Sequence, residues 1–236
     1  MARKKTNLVF DAVDYIRGKI LSYDLKPGEP ISDTKIALEM GEVLQIKISR
    51  SPVREAFTIL QSEDFIEVID GKVCVARITE RDIFEICQLR DAIEQQSVII
   101  VMNNGGFSQE EKELLKEKYQ QLVKAIEYCD EEKEYQIDDE FHSILVACTK
   151  NKHIVGVEMR ARNQMKRVRW LNRVFSSRRR QANLEHEAIL NAILADDLEG
   201  TLQAIHIHNQ NIMEAFQHIF ETETMRKALV CLLSDS

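Results

Sequence analysis

The chain has 236 residues, of which 30% are charged, and a formal net charge of −7. No apolar run approaches the roughly 20 residues that span a bilayer, and the first residues lack the apolar stretch of a signal peptide, so we expect a cytoplasmic protein without a membrane partner. The three prolines and the helix-rich composition argue against a β-sandwich or barrel and predict a mainly α chain with two domains.

The five cysteines are scattered along the chain and show no C-x-x-C spacing. Their odd number and their spacing favour buried thiols over disulfides or a zinc cage. We therefore expect all of them to be structural: Cys74, Cys87, Cys129, Cys148 and Cys231.

The N-terminal part of the chain predicts a helix, a sharp break and a second, shorter helix. Apolar residues recur at helical spacing over residues 8–22. Two prolines and a glycine in Leu25–Ile31 then end that helix. Ser32 is a suitable N-cap for a helix over Asp33–Met40, and Gly41 lies where a helix C-terminus often takes a left-handed residue.

Residues 49–61 predict a short helix that begins with basic residues and continues with apolar ones. Ser49 or Ser51 can cap its free backbone N–H groups. Arg50 and Arg54 are four residues apart and project from one face, where they can hold phosphate oxygens or bind guanine. The opposite face is apolar, with Val53, Ala56, Phe57 and Leu60. The pattern is typical of a helix that enters a DNA groove, with its first turn toward the DNA, although a surface helix with two unrelated arginines would share it.

A hairpin is predicted directly after this helix. The segments Phe65–Ile69 and Val73–Ala76 have strand character and flank Asp70 and Gly71, a strong two-residue turn signal. Three helices and a hairpin make a winged helix-turn-helix. We therefore predict a DNA-binding domain over residues 1–76.

The charge distribution allows a DNA partner only through a local patch. Residues 1–76 carry 11 lysines and arginines against 12 acidic residues, so most of the net negative charge lies further along the chain. Affinity for duplex DNA comes largely from phosphate neutralisation, and this domain is not generally basic. The cations available for a patch, which a dimer would double, are Arg3, Lys4, Lys5, Lys47, Arg50, Arg54 and Lys72.

The motifs of this region resemble the DNA-binding domain of GntR-type bacterial transcription regulators over residues 8–76. They are Leu25-Lys-Pro-Gly-Glu, Ser32-Asp-Thr-Lys-Ile-Ala, Ser49-Arg-Ser-Pro-Val-Arg-Glu-Ala-Phe and Phe65-Ile-Glu-Val. The resemblance implies that Arg50 and Arg54 contact double-stranded operator DNA and that the wing tip, Gly71 and Lys72, reaches an adjacent groove.

The chain departs from that family pattern in two places. A DNA-contacting arginine of the family is replaced by Thr34, and the neighbouring Lys35 is the candidate substitute. Residues 42–47 are additional, where the family has a tight turn between its second and third helices.

From residue 77 onward, helical periodicity is almost continuous and predicts a helical bundle over residues 77–236. A linker over residues 77–79 leads into a helix over 80–103, and Ser108 caps the next helix. Further helices are predicted at 132–149, 151–175, 178–195 and 198–219, with a last short one near 222–233. We interpret the basic stretch from Arg160 to Arg180 as a solvated helix face.

Within this bundle, Asp138 and His142 have the i,i+4 spacing by which one helix offers two metal ligands. His186 and His208 lie on later predicted helices. Three neutral imidazoles and a carboxylate suit a divalent transition metal, with zinc first and nickel, iron, cobalt or manganese as alternatives. The spacing alone does not bring the four together, and a single histidine is more often a core or surface residue.

Residues 80–220 are similar to the all-helical FCD effector domain of the FadR-like branch of GntR regulators. The matching stretches are Leu89-Arg-Asp-Ala-Ile-Glu94, Asp138-Asp-Glu-Phe-His142, His186-Glu-Ala-Ile-Leu190 and residues 197–208. The resemblance implies that Asp138, His142, His186 and His208 are metal ligands. It also implies a homodimer that pairs through these bundles.

Two functions remain open for such a metal site. In the first, open metal positions accept a small organic acid with help from Arg90, although Arg90 equally fits a salt bridge to Glu94. In the second, the metal activates water for hydrolysis, with Glu94, Asp139 or Glu140 as general base. The DNA-reading module favours the first, so we predict a non-enzymatic transcription regulator that senses a small carboxylate.

Overall fold

The computed structural model describes residues 5–168 and 178–221. These residues fall into two compact units, which divide between Thr79 and Glu80. Within the described residues, no helix combines the length and the apolar character needed to cross a membrane.

The first unit consists of three helices and a hairpin, as predicted. Its elements are α1 (Lys5–Leu21), α2 (Asp33–Leu44), α3 (Arg50–Ser62), β1 (Ile66–Ile69) and β2 (Lys72–Val75). Every element contributes apolar side chains to one core, which includes Val13, Ile16, Ile36, Met40, Leu60, Phe65 and Val75. The predicted winged helix-turn-helix fold is confirmed.

The hairpin has the tight turn that the sequence predicts. The antiparallel register pairs Ile69 with Lys72, so only Asp70 and Gly71 lie in the loop. Both residues have positive φ, 49° and 74°, as a type I′ turn requires. The tip that they form with Lys72 is exposed.

The predicted end of the second helix was wrong. α2 continues through Gly41 to Leu44, and Gln45 takes the left-handed conformation with φ 54°. Gly41 serves a different purpose, because the chain folds back on it and the Ile46 N–H donates to its carbonyl at 3.0 Å. A Cβ at this position would lie 2.9 Å from the Ile46 carbonyl oxygen. Glycine is therefore required for close backbone approach and not for positive φ.

The second unit is a helical bundle. Its helices are α4 (Glu80–Asn103), α5 (Gln109–Glu127), α6 (Glu131–Ala147), α7 (Lys152–Lys166), α8 (Arg179–Leu194) and α9 (Leu198–Glu221). The predicted bounds of α4 are confirmed, and Ser108 caps α5 in a capping box with Glu111. α9 packs against α4 and α8, and α6 packs against α4 and α5. The helix predicted near 222–233, and residues 169–175 of another, lie outside the described residues.

Only two of the described cysteines meet the expectation of buried thiols. Cys74 and Cys87 are buried and Cys148 is half-buried, but Cys129 is exposed. It follows the end of α5 in a left-handed turn with φ 54°, where the chain reverses at the surface. Cys231 lies outside the described residues.

The two helical glycines of the first unit give a matched stability test. We expect Gly41→Ala to lower the free energy of unfolding by about 1–3 kcal/mol, because the added methyl group meets backbone that must shift. Gly18→Ala in α1 meets nothing within 4 Å, so helix propensity should make it neutral or stabilising by up to about 1 kcal/mol. Urea unfolding followed by circular dichroism measures both, and equal stability of the two variants would contradict this role of Gly41.

Candidate functional site

Three histidines from three helices converge in the interior of the second unit. His142 lies on α6, His186 on α8 and His208 on α9, and each is at most 2% exposed. Their candidate ligand atoms all lie within 4.8 Å of one another. His142 Nε2 is 3.1 Å from His186 Nε2, and the ring of His208 stacks on that of His142.

The outer nitrogen of each ring meets an oxygen that only accepts hydrogen bonds. His142 Nδ1 is 3.1 Å from Glu94 Oε2, and His208 Nδ1 is 2.9 Å from Glu185 Oε2. His186 Nδ1 is 2.7 Å from the carbonyl oxygen of Ala182. These acceptors place a proton on each Nδ1, so in the neutral rings each Nε2 keeps its lone pair.

The three Nε2 lone pairs therefore share one small space. His208 Nε2 is buried and has no hydrogen-bond partner among the described residues. Two lone pairs at 3.1 Å repel each other unless positive charge lies between them. The arrangement calls for a proton or a metal ion at this point.

A carboxylate, that of Asp138, lies beside the three histidines and is more accessible to solvent than they are. Its Oδ1 lies 3.0 Å from His186 Nε2, and its side chain is 34% exposed, in contrast to the buried rings. It lies one helical turn before His142 on α6. Of the four residues that the sequence offered as metal ligands, the structure brings the three histidines together and places Asp138 beside one of them, His186.

The electrostatics of the cluster suit a cation. Burial, together with the neighbouring His186 and His142, lowers the pKa of His208 to about 3, against the opposing effect of the hydrogen bond that His208 donates to Glu185. Desolvation alone would raise the pKa of Asp138, but its interactions with His186 and with the other two imidazoles hold it well below its usual range. Burial alone would lower the pKa of His142, but Glu94 outweighs it and raises that pKa.

Two carboxylates behind the imidazoles complete the site, and the sequence did not reveal their role. Glu94 on α4 accepts from His142 and also from Asn209 at 3.2 Å. Glu185 on α8 accepts from His208, from Asn211 at 2.6 Å and from Arg178 at 2.6 Å. Partners of this kind fix the tautomer and orientation of a metal-binding imidazole. The sequence pattern indicates Glu94 only as a partner of Arg90 or a general base, and it gives no signal for Glu185.

Arg90 forms the salt bridge that the sequence had left as one alternative. Its guanidinium lies 3.2 Å from Glu94, and its side chain is 15% exposed. Attraction to Glu94 and Asp138 raises its pKa despite the opposing effect of burial. Arg90 therefore lies beside the carboxylates of the cluster, and an effector role for it stays a prediction.

The two other candidate general bases, Asp139 and Glu140, form salt bridges with lysines. Asp139 pairs with Lys166 at 3.1 Å, and Glu140 pairs with Lys118 at 2.7 Å. His206, two residues from His208, pairs with Asp91 at 2.9 Å and is 50% exposed.

The predicted DNA-contacting arginines lie together on the exposed face of α3. Their side chains are 55% and 62% exposed, and both bind the carboxylate of Asp33 on α2. The apolar face of the same helix, with Val53, Ala56, Phe57 and Leu60, is buried. Lys35 is exposed, with its Nζ 4.0 Å from Glu39.

The capping prediction for α3 was wrong in detail. Ser49 occupies the N-cap position, but its side chain makes no capping hydrogen bond. The hydroxyl of Ser51 instead donates to Glu55 at 3.1 Å. Both serines are exposed beside Arg50, and their contact with DNA stays a prediction.

Comparison with known proteins agrees with this architecture. Residues 85–211, more than half of the chain, match the FCD domain. The uncharacterized HTH-type transcriptional regulator YdhC of Bacillus subtilis is 26% identical over 220 residues, 92% of this chain and 95% of the relative. The Nta operon transcriptional regulator of Aminobacter aminovorans is 28% identical over 204 residues, 85% of this chain and 89% of the relative.

A solved structure shares the fold across nearly the whole chain. E. coli McbR/YncC aligns with a TM-score of 0.71 at 21% identity, covering 92% of this chain and 99% of that one. The chain therefore belongs to the FCD-domain family and is a GntR-type transcription regulator of the FadR-like branch. The resemblance inferred from its motifs is confirmed.

Two Arg–Glu pairs with i,i+4 spacing on α4 provide a matched test of the buried network. We expect Glu94→Ala to destabilise the chelator-treated protein by about 3–5 kcal/mol, because it leaves buried His142 and half-buried Arg90 without their acceptor. Glu85→Ala removes the exposed partner of Arg81 and should change stability by less than about 1 kcal/mol. Thermal and urea unfolding at pH 7 measure both.

The Glu94 carboxylate also gives the free energy of unfolding a pH dependence of defined sign. Burial alone would raise the pKa of Glu94, but His142 and Arg90 hold it well below its usual range. A depressed folded-state pKa stabilises the fold above the ordinary glutamate pKa of about 4.3, and this contribution is lost as the pH falls further. The stability gap between wild type and Glu94→Ala should therefore narrow below that pH, and a gap that widens would contradict the charge assignment.

Proposed function

We propose that this regulator is a homodimer that binds double-stranded operator DNA and changes its affinity when a small carboxylate binds beside a metal ion in the helical domain. The observation that carries the proposal is the convergence of three imidazole Nε2 atoms whose Nδ1 atoms are all bound to acceptors. Such a site does not stabilise the fold by itself, because buried polar atoms without hydrogen-bond partners lower the free energy of unfolding.

The residues present fit a metal ion. Neighbouring donor atoms at 3.0 and 3.1 Å are close enough to share one ion with bonds of about 2.1 Å. His142, His186, His208 and Asp138 would hold it. Three imidazoles and a carboxylate suit zinc first, with nickel, iron, cobalt and manganese as alternatives.

The surroundings of the centre favour an anionic effector. A bound ion would offer its remaining positions to the carboxylate of a small organic acid. Arg90 lies at the same place, and its planar guanidinium suits a carboxylate. Glu94 and Glu185 hold two of the imidazoles in place, so an effector would meet a preorganised site.

The first unit supports DNA binding through α3 and the wing tip. Arg50 and Arg54 present guanidinium groups on an exposed face, with Ser49 and Ser51 beside them and Lys35 on α2. The tip at Gly71 and Lys72 would contact an adjacent groove. In a dimer, the α3 helices of the two subunits would enter successive major grooves about 34 Å apart.

Effector control then requires a difference in affinity between two states of the dimer. A ligand changes DNA affinity only as far as it binds the DNA-competent and incompetent states differently, which is typically worth about 1–3 kcal/mol. Metal and effector would therefore act on the population of the competent state.

Two histidines on α9 give a matched test of the metal site. Protein purified without chelator should contain about one transition-metal ion per chain, and addition of that metal to stripped protein should raise the Tm. His208→Ala should lose both the bound metal and the rise in Tm, whereas His206→Ala should keep both, because His206 binds Asp91 outside the cluster. Elemental analysis and thermal unfolding give the readouts. Equal metal content in the two variants would contradict the assignment.

The DNA-binding role is tested with a duplex that the wild-type protein selects from a random library. Arg50→Ala should cost roughly 1–3 kcal/mol of binding free energy if Arg50 reads a base. Arg81→Ala, which removes an exposed arginine of the second unit, should leave binding unchanged. Wild-type affinity after Arg50→Ala would refute the role of Arg50.

The sensing role is tested by repeating the measurement with a panel of small carboxylates, beside a screen for ester and phosphoester hydrolysis. At least one carboxylate should shift DNA affinity in wild type and not in His208→Ala. Metal-dependent turnover without DNA binding would instead favour a hydrolase.

A further inference from the structure

Asp33 binds both of the arginines assigned to DNA. Its Oδ1 accepts from Arg50 Nε at 3.1 Å, and its Oδ2 accepts from Arg50 Nη2 at 2.9 Å. Arg54 Nε also donates to Oδ2, at 2.5 Å. Thr34 donates to Oδ1 at 3.1 Å, so the carboxylate has four donors. One acidic side chain on α2 thus clasps two basic side chains on α3.

The clasp uses only one side of each guanidinium group. Arg50 donates through Nε and one Nη, which leaves its end-on pair of Nη groups for a further acceptor. Arg54 donates through Nε alone. The end-on pair of an arginine is suited to the bidentate contact with O6 and N7 of guanine. The carboxylate therefore supports the arginines from behind without covering the edge that would read a base.

The carboxylate of Asp33 also lowers the net positive charge of the arginine pair on α3. Two guanidinium groups and one carboxylate carry a net charge of +1 instead of +2. The hydrogen bonds from Arg50, joined by those from Arg54 and Thr34, outweigh the effect of burial and hold the pKa of Asp33 at about 2, so the carboxylate stays ionised at neutral pH. Because non-specific DNA binding comes from phosphate neutralisation, this charge reduces attraction to DNA of any sequence.

We propose that Asp33 is a specificity-determining positioning residue, which orients Arg50 and Arg54 for base contact and suppresses non-specific binding to phosphates. The inference rests on the proposed DNA-binding role of these arginines. Side chains that are ordered before binding lose less conformational freedom in the complex, and this favours the contact that needs a defined geometry. A phosphate contact needs no such geometry, so Asp33 penalises it through charge alone.

The test compares two duplexes in the full-length protein. One is selected by wild type from a random library, and the other has the same composition in scrambled order. In Asp33→Asn, affinity for the scrambled duplex should rise several-fold, and the ratio of selected to scrambled affinity should fall about tenfold or more. The slope of log affinity for the scrambled duplex against log salt should steepen by about 0.9, the value for one additional phosphate contact.

Two further variants separate this role from a general effect of charge or folding. Glu42→Gln removes an equal charge from an exposed site on the same helix, and its affinity ratio should stay at the wild-type value. Asp33→Glu restores the carboxylate and should recover most of the ratio. A purely structural role of Asp33 would lower the Tm and weaken both duplexes together, without a change in the ratio.

The results of these variants distinguish the role of Asp33 from DNA binding by α3 itself. If Arg50→Ala and Arg54→Ala lose the selected duplex while Asp33→Asn keeps the wild-type ratio, the role of Asp33 is overturned and DNA binding by α3 stands. An equal rise in affinity for both duplexes in Asp33→Asn also overturns it. If wild type selects no duplex at all, both are overturned.

Discussion

The central constraint in the second unit is the mutual repulsion of three buried imidazole nitrogens. Glu94, Glu185 and the carbonyl of Ala182 each accept a hydrogen bond from an Nδ1–H group, so in the neutral rings the Nε2 atoms of His142, His186 and His208 face one another with their lone pairs. Burial prevents water from relieving this repulsion, and positive charge at the shared point does relieve it. The helices α4, α6, α8 and α9 each contribute an imidazole of this cluster or the acceptor of one.

The first unit uses a related arrangement. There, one carboxylate holds two exposed guanidinium groups at the start of α3. In both units, carboxylates accept hydrogen bonds from the side chains proposed to bind a partner, and these contacts fix the orientation of those side chains. Side chains held this way bind a partner with less loss of conformational freedom. The proposed function needs this in both units, because an effector would have to favour one state of the dimer and an operator would have to be distinguished from other DNA.

Sequence reasoning worked where the signal was local. The helix over Glu80–Asn103 and the turn at Asp70 and Gly71 follow from apolar spacing and turn chemistry within a few residues. The i,i+4 pair of Asp138 and His142 was visible for the same reason. Gly41 was misread because a helix-ending glycine and a glycine needed for close backbone approach look alike in sequence.

The missed features depend on long-range contacts. Glu94 lies 48 residues from His142, and Glu185 lies 23 from His208. No periodicity links residues so far apart, so only the fold could pair them. The sequence places Asp33 at the start of the second predicted helix, but its contacts with Arg50 and Arg54 depend on how α2 packs against α3. The four ligand candidates were found through resemblance, and their convergence comes from the structure.

The metal site is tested most directly by anomalous diffraction at a transition-metal absorption edge, from crystals of protein purified without chelator. We expect one strong peak in the bundle, within about 2.1 Å of the Nε2 atoms of His142, His186 and His208 and next to the Asp138 carboxylate. A site without a peak, with an imidazole turned so that its Nδ1 faces inward, would contradict it.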